Sequence, residues 1–153
     1  MHRSYKNFPF RAGFSYTRQM ATSVQPLYLY MLDEDLYRIG NATTPKLHNV
    51  RLDDVTLYER NGIVMVTANG FGISLITEER LKRTASHLTG YVWKLPANMP
   101  MPPGLALSAD RRTLKPGEIP DHYFLCPVSD MPLSEYVALL SKLALKLKRT
   151  RKL

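Results

Sequence analysis

Short apolar runs, each about as long as a strand and each closed by turn residues, constrain this chain more than any other feature. Leu36 to Ile39, Val55 to Tyr58, Ile63 to Thr67, Ile73 to Ile76, Tyr91 to Leu95 and Tyr123 to Cys126 all fit that description. β-Branched and aromatic residues dominate them, as a pleated, half-buried surface requires. Asn61-Gly62 joins the second and third runs with the strongest short hairpin signal, and Asn69-Gly70-Phe71-Gly72 makes the next turn. Leu27 to Leu32 reads as a strand or a buried lead-in, and Leu105 to Leu107 as a short strand. Pro96 to Pro103 holds four prolines, which cannot donate to a central ladder, so it reads as an ordered loop. Only two segments read as helices. In Thr77 to Thr84, Thr77 is the N-cap and Glu78 and Glu79 favour the first turn. In Pro132 to Leu147, Leu133, Tyr136, Val137, Leu140, Leu143, Ala144 and Leu147 recur three and four apart, giving one apolar stripe. Many short strands and two helices predict an α+β domain on a mixed or antiparallel sheet with a C-terminal amphipathic helix.

At 153 residues the chain suits one domain, here residues 24–147, flanked by a basic arm or transit segment at 1–23 and a basic tail at 148–153. No apolar run approaches the roughly 20 residues that span a bilayer. The lone cysteine, Cys126, has no internal disulfide partner, and its apolar surroundings predict a buried, inert thiol. Net charge is +8, which points to an acidic partner, protein or nucleic acid. The cations crowd the ends, with Arg3, Lys6, Arg11 and Arg18 at the start and Lys142 to Lys152 at the finish. A nucleic-acid domain more often spreads them over one folded face or interleaves them with aromatics, so a nucleic-acid partner is not favoured. Residues 1–23 hold no acid. That composition fits a mitochondrial transit segment in a eukaryotic chain, and equally a loosely docked arm.

Metal chemistry lacks its residues: His2, His48, His87 and His122 have no paired spacing, and there is neither a cysteine pair nor HExxH. The P-loop, the GxGxxG fingerprint and the GxSxG nucleophile elbow are also missing. Single polar residues on strands are what is left. Arg38, at a strand end, is either a bidentate clamp for phosphate or carboxylate or a solvated edge arginine. Ser74 follows Gly70 and Gly72, which would let a ligand approach the backbone; the plainer alternative is an ordinary strand serine. His122 sits between proline-bearing loops and either faces a cleft or caps the neighbouring loop. Tyr28, Tyr30, Tyr37, Tyr91 and Tyr123 could stack a nicotinamide or adenine ring, although strand aromatics are more often core.

The order of these residues resembles a family. Leu36-Tyr37-Arg38, Gly72-Ile73-Ser74-Leu75, a proline-rich loop ending in Pro103-Gly104-Leu105, then Asp121-His122-Tyr123-Phe124-Leu125-Cys126-Pro127 with Met131 and a terminal helix look like the second-effector family of type VI secretion toxins. The resemblance covers Leu27 to Leu143 and is strongest from Gly70 onward. It implies an ADP-ribosyltransferase-like fold, NAD as substrate, action in the cytoplasm, and neutralisation by an immunity protein, expected here to be acidic, over the cleft. It also implies that Arg38 holds the phosphates or ribose of NAD, that Ser74 braces the nicotinamide ribose, and that His122 contacts substrate or steers protons; of the tyrosines, Tyr123 is the candidate for binding the cofactor. The family pattern has a Thr-Ser pair where this chain has Ile73-Ser74, and no glutamate stands in an obvious catalytic position. Glu118, Asp121 and Asp130 are the acids that could supply the negative charge. Two other readings stand beside this one: a non-enzymatic basic module, organellar if residues 1–23 are a transit segment, that binds RNA or an anionic surface, and an RNA-modifying member of the same transferase fold.

Overall fold

A computed structural model describes residues 26–153. The arm or transit segment expected at 1–23 lies outside the described residues. In chain order the elements are β1 (Leu36–Gly40), β2 (Leu57–Arg60), β3 (Ile63–Val66), β4 (Ile73–Thr77), α1 (Glu78–Thr84), β5 (Tyr91–Leu95), β6 (Leu105–Ala109), β7 (His122–Pro127), β8 (Met131–Pro132), α2 (Leu133–Ala144) and β9 (Lys148–Lys152). Six strands form one sheet in the order β6-β7-β4-β1-β5-β9, and β2-β3-β8 form a second. Every pairing is antiparallel. The result is the expected α+β architecture, consistent with an ADP-ribosyltransferase domain.

The turn chemistry sets the hairpins. Asn61 and Gly62 both take positive φ, 51° and 81°, the pair of left-handed residues that a two-residue hairpin turn needs between β2 and β3. Thr77 caps α1 through its side chain, which accepts from the Arg80 N–H, and Leu81 anchors that helix as its buried residue.

Period-two alternation divides the large sheet into two faces. One carries Leu36, Ile73, Leu75, Leu95, Leu105, Leu107, Tyr123 and Leu125 into the main core, where α2 delivers Tyr136, Leu140 and Leu143. The other carries Tyr37 and Val92 against Leu81 of α1, with Ile39, Ile76 and Leu88 packed around them. Burying a Leu or Ile side chain is worth about 1.5–3 kcal/mol, so the first face supplies most of the stability.

Tyr136 ties the two layers at one point. Its hydroxyl donates to the Leu125 carbonyl at 2.5 Å and accepts from the Ile73 N–H at 3.2 Å, and the residue is wholly buried. Gly72 lies against the same two groups. A Cβ there would stand 1.8 Å from the Leu125 oxygen and 2.6 Å from the Tyr136 hydroxyl. The glycine therefore admits β7 and α2 to the start of β4; it does not open the backbone to a ligand.

Three expectations are corrected. Leu27 to Leu32 is not a strand: Leu29 exchanges backbone bonds with Leu107, while the Tyr30 and Leu32 carbonyls accept from Met101 and Asn98 of the proline-rich loop. The last helix stops at Ala144 instead of Leu147. Residues 148–152 are no tail but an exposed edge strand paired with β5, fastened where the Thr150 hydroxyl donates to the Val92 carbonyl at 3.0 Å.

Candidate active site

β1 and β4 pair only at Leu36 with Thr77 and Tyr37 with Ile76, whereas β1 and β5 stay in register over all five residues. Past Tyr37 the two central strands separate. A gap between central strands leaves backbone groups unpaired, and they must find other partners. Here the Arg38 guanidinium supplies one: Nη1 donates to the Ser74 carbonyl at 3.2 Å. On the α1 side the gap is a cleft of about 260 Å³, with Arg38 and Ser74 at its base and Tyr37, Ile76, Arg80 and Leu88 around it.

Arg38 is the most unusual group in the cleft. Burial lowers its pKa, yet a guanidinium stays charged at any working pH. Its Nε is buried and has no hydrogen-bond partner among the described residues. Among the described residues it also has no carboxylate in ion-pair contact; Asp54, which raises its pKa from farther away, is instead 3.8 Å from the Arg51 Nε. Burying a cation without a counter-ion is costly, so such a group is poised for an anion.

The register places Ser74 beside Phe124 and Ile76 beside His122. Residues in register share a face, so Ser74, Ile76, His122 and Phe124 all belong to the cleft side of the sheet. His122 Nδ1 is 2.9 Å from Asp110 Oδ2, its ring packs on Phe124 with centroids 4.8 Å apart, and the Asp110 N–H donates to its carbonyl at 2.8 Å. Arg112 holds Asp110 from the far side with Nε and Nη2, both at 2.9 Å, and lies over the rings of Phe71 and Phe124. Those hydrogen bonds push the Asp110 carboxyl well below the usual carboxylate range. Burial lowers the His122 pKa, with Arg80 and Arg112 adding to the effect and Asp110 opposing it. A lowered pKa keeps the imidazole neutral near pH 7.

Arg38 and Ser74 thus meet at the gap, with Arg38 reaching it from the opposite face of the sheet, while His122 lies on the same face as Ser74 one strand further along, on β7. Tyr123 does not join them. It alternates with His122, is 5% exposed, and packs in the main core, so its ring offers no stacking face to the cleft. Glu118 and Asp130 are occupied elsewhere: Glu118 accepts from the Lys115 N–H, and Asp130 from the Tyr58 hydroxyl and the Ala68 N–H. Asp121 pairs with the cleft-lining Arg80 at 3.4 Å and with Arg83. Cys126 is buried, and desolvation pushes its thiol up to about 12, which removes it as a nucleophile.

Asp110, Arg112 and Arg80 carry no motif and are missed by reading the sequence for patterns. The one signal that finds Asp110 is the pairing of Ala109 with Tyr123, which carries the chain past β6 directly to His122. Among the described residues no group of three or more His, Cys, Asp and Glu could hold a metal ion.

Comparison with curated proteins and with solved structures gave no match. A family model described as Tse2 ADP-ribosyltransferase toxin matches residues 16–152, which takes in every strand and helix among the described residues. The chain therefore belongs to the Tse2 ADP-ribosyltransferase toxin family.

Proposed function

We propose that this chain is a toxin that consumes NAD in the cytoplasm, releasing nicotinamide and passing ADP-ribose to an acceptor from the gap between β1 and β4. The observation that carries this reading is Arg38: a half-buried cation at the base of a cleft, with no ion-paired acid among the described residues and one buried N–H without a partner. A phosphate of NAD supplies the missing charge and the missing acceptor. Ser74, whose hydroxyl has no partner among the described residues, braces the nicotinamide ribose from the adjacent strand. The cleft, at about 260 Å³, lies below the ~300–1,000 Å³ of typical ligand sites, so it encloses one end of the dinucleotide and leaves the rest along the open rim.

Bound NAD supplies an activated ribosyl–nicotinamide bond. Breaking it builds positive charge on the ribose, and fixed negative groups aimed there are the main source of rate. Asp121, beside the cleft-lining Arg80, is the acid available for this, although its pairs with Arg80 and Arg83 offset part of its charge.

The partner in this reading is an acidic immunity protein that covers the cleft. Its support is electrostatic: the chain carries +8, and Lys148, Arg149, Arg151 and Lys152 of the exposed β9 form no ion pairs among the described residues. Complementary charge speeds such encounters before the contact closes. The test is cytoplasmic expression of the intact and His122→Ala chains, following growth and NAD together. Arrested growth with NAD depletion, both relieved by His122→Ala, is the expected result; arrest without NAD loss overturns the reading.

A further inference from the structure

We infer that Asp110 and His122 form a proton-accepting pair, in which His122 Nε2 takes the proton of an attacking O–H group and Asp110 is the positioning residue behind it. The inference rests on the transferase reading above and adds to it the class of acceptor.

The geometry fixes which ring nitrogen is free. Asp110 is ionised and can only accept, so the 2.9 Å contact with Nδ1 requires that nitrogen to carry the proton. Nε2 is then the lone-pair nitrogen, and among the described residues it has no hydrogen-bond partner. The ring cannot easily turn away. Phe124 packs on it at 4.8 Å, Phe71 meets Phe124 edge-on at 5.3 Å, and the Asp110 N–H clasps the His122 carbonyl. Asp110 is itself held by both arms of Arg112. Preorganisation of this kind is what a base needs and what a surface histidine lacks.

The same surroundings choose the acceptor. The charged groups facing the imidazole are Asp110 and Arg112 from the loop after β6 and Arg80 from α1. Two cations disfavour a lysine or arginine acceptor, and a carboxylate acceptor has no proton to give. A hydroxyl, of a macromolecule or of water, fits both conditions. In the step, the oxygen bonds to the ribosyl carbon as that carbon's bond to the nicotinamide nitrogen breaks. The electron pair leaves with neutral nicotinamide, and the O–H proton passes to Nε2. Asp110 stabilises the imidazolium, which then loses its proton to solvent.

The test combines nitrogen NMR of the His122 ring with nicotinamide release against pH, for the intact, Asp110→Asn and Asp110→Ala chains. The intact chain is expected to show the Nδ1–H tautomer and an acid limb set by His122. Because Asp110 raises the His122 pKa, Asp110→Asn should move that limb to lower pH and reduce the plateau rate about 100-fold, the low end of what a general base contributes. In Asp110→Ala the tautomer preference should disappear. An Nε2–H tautomer in the intact chain, or an active Asp110→Asn chain with an unmoved limb, overturns the inference while leaving NAD consumption standing. An intact chain that releases no nicotinamide overturns the transferase reading and the step with it. The ADP-ribose product, free or attached, tells water from a macromolecular hydroxyl.

Discussion

The Arg38 guanidinium donates to the Ser74 carbonyl at 3.2 Å across the gap where β1 and β4 part, and this contact bridges the two strands beyond their last ladder pair, Tyr37 with Ile76. Among the described residues the guanidinium uses a single N–H of five, and a second, Nε, is buried without a partner. Such a residue is expensive for the fold and valuable to a ligand, the signature of a functional site built at the expense of stability.

Arg38→Met should therefore separate stability from function. Replacing a poorly compensated buried cation with an apolar side chain of similar length is neutral or stabilising in many proteins. The urea midpoint is expected to stay level or rise. Losing charge-assisted hydrogen bonds to a phosphate, about 1.5–3 kcal/mol, should weaken NAD binding by at least tenfold. Equilibrium unfolding and NAD titration of the same preparation check both halves.

Gly72 and Tyr136 should give the opposite result. A methyl group at Gly72 meets the Leu125 oxygen at 1.8 Å, and β7 must move to admit it. Overpacking of this kind costs about 1–3 kcal/mol or more. Tyr136→Phe strips the Ile73 N–H and Leu125 carbonyl of their shared hydroxyl and should cost about 1–3 kcal/mol. Denaturant melts are expected to show Gly72→Ala and Tyr136→Phe as destabilised, with no preference for NAD-bound over free protein.

Much of this arrangement can be read from residues alone, and the exceptions have physical causes. Local signals suffice for Asn61-Gly62, for the Thr77 cap and for the α2 stripe, because each depends on its own neighbours in sequence. Arg38, Ser74 and His122 stand out by the order of their motifs, but a gap between β1 and β4 is a matter of register and has no local signal. Tyr123 is a different kind of miss. It is adjacent to His122 on a strand, and period two alone forbids both from facing the cleft. β9 was illegible because Lys148 to Lys152 holds no apolar residue. Pairing with β5 and the packing of Arg149 and Lys152 over Tyr91 override that composition.

Acid should destabilise the fold through the His122–Asp110 pair. The His122 pKa is lowered from 6.5 on folding, so the unfolded chain binds more protons as pH falls. That stability is complete above 6.5 and is lost as pH drops through 6.5 toward the folded value. Asp110, lowered from 3.8, adds a second loss at more acid pH. Urea midpoints are expected to fall between about pH 7.5 and pH 5, and His122→Gln should flatten that slope.

The basic edge strand should govern how fast an acidic partner arrives. Lys148→Glu with Arg151→Glu reverses two exposed charges on β9 without touching the core. Association with an acidic immunity protein is expected to slow about tenfold at low salt, with the difference shrinking as salt rises. Stopped-flow association at two ionic strengths checks it, and a rate indifferent to both salt and charge reversal would remove β9 from the encounter.

The most direct measurement is nicotinamide release from NAD by the purified chain, compared with its Arg38→Met and Ser74→Ala variants, each shown to be folded by unfolding midpoint. Release by the intact chain, with both variants reduced by at least tenfold, is the expected result for a cleft that holds the phosphates at Arg38 and the ribose at Ser74. Undiminished release from both folded variants would place the chemistry somewhere other than the gap between β1 and β4.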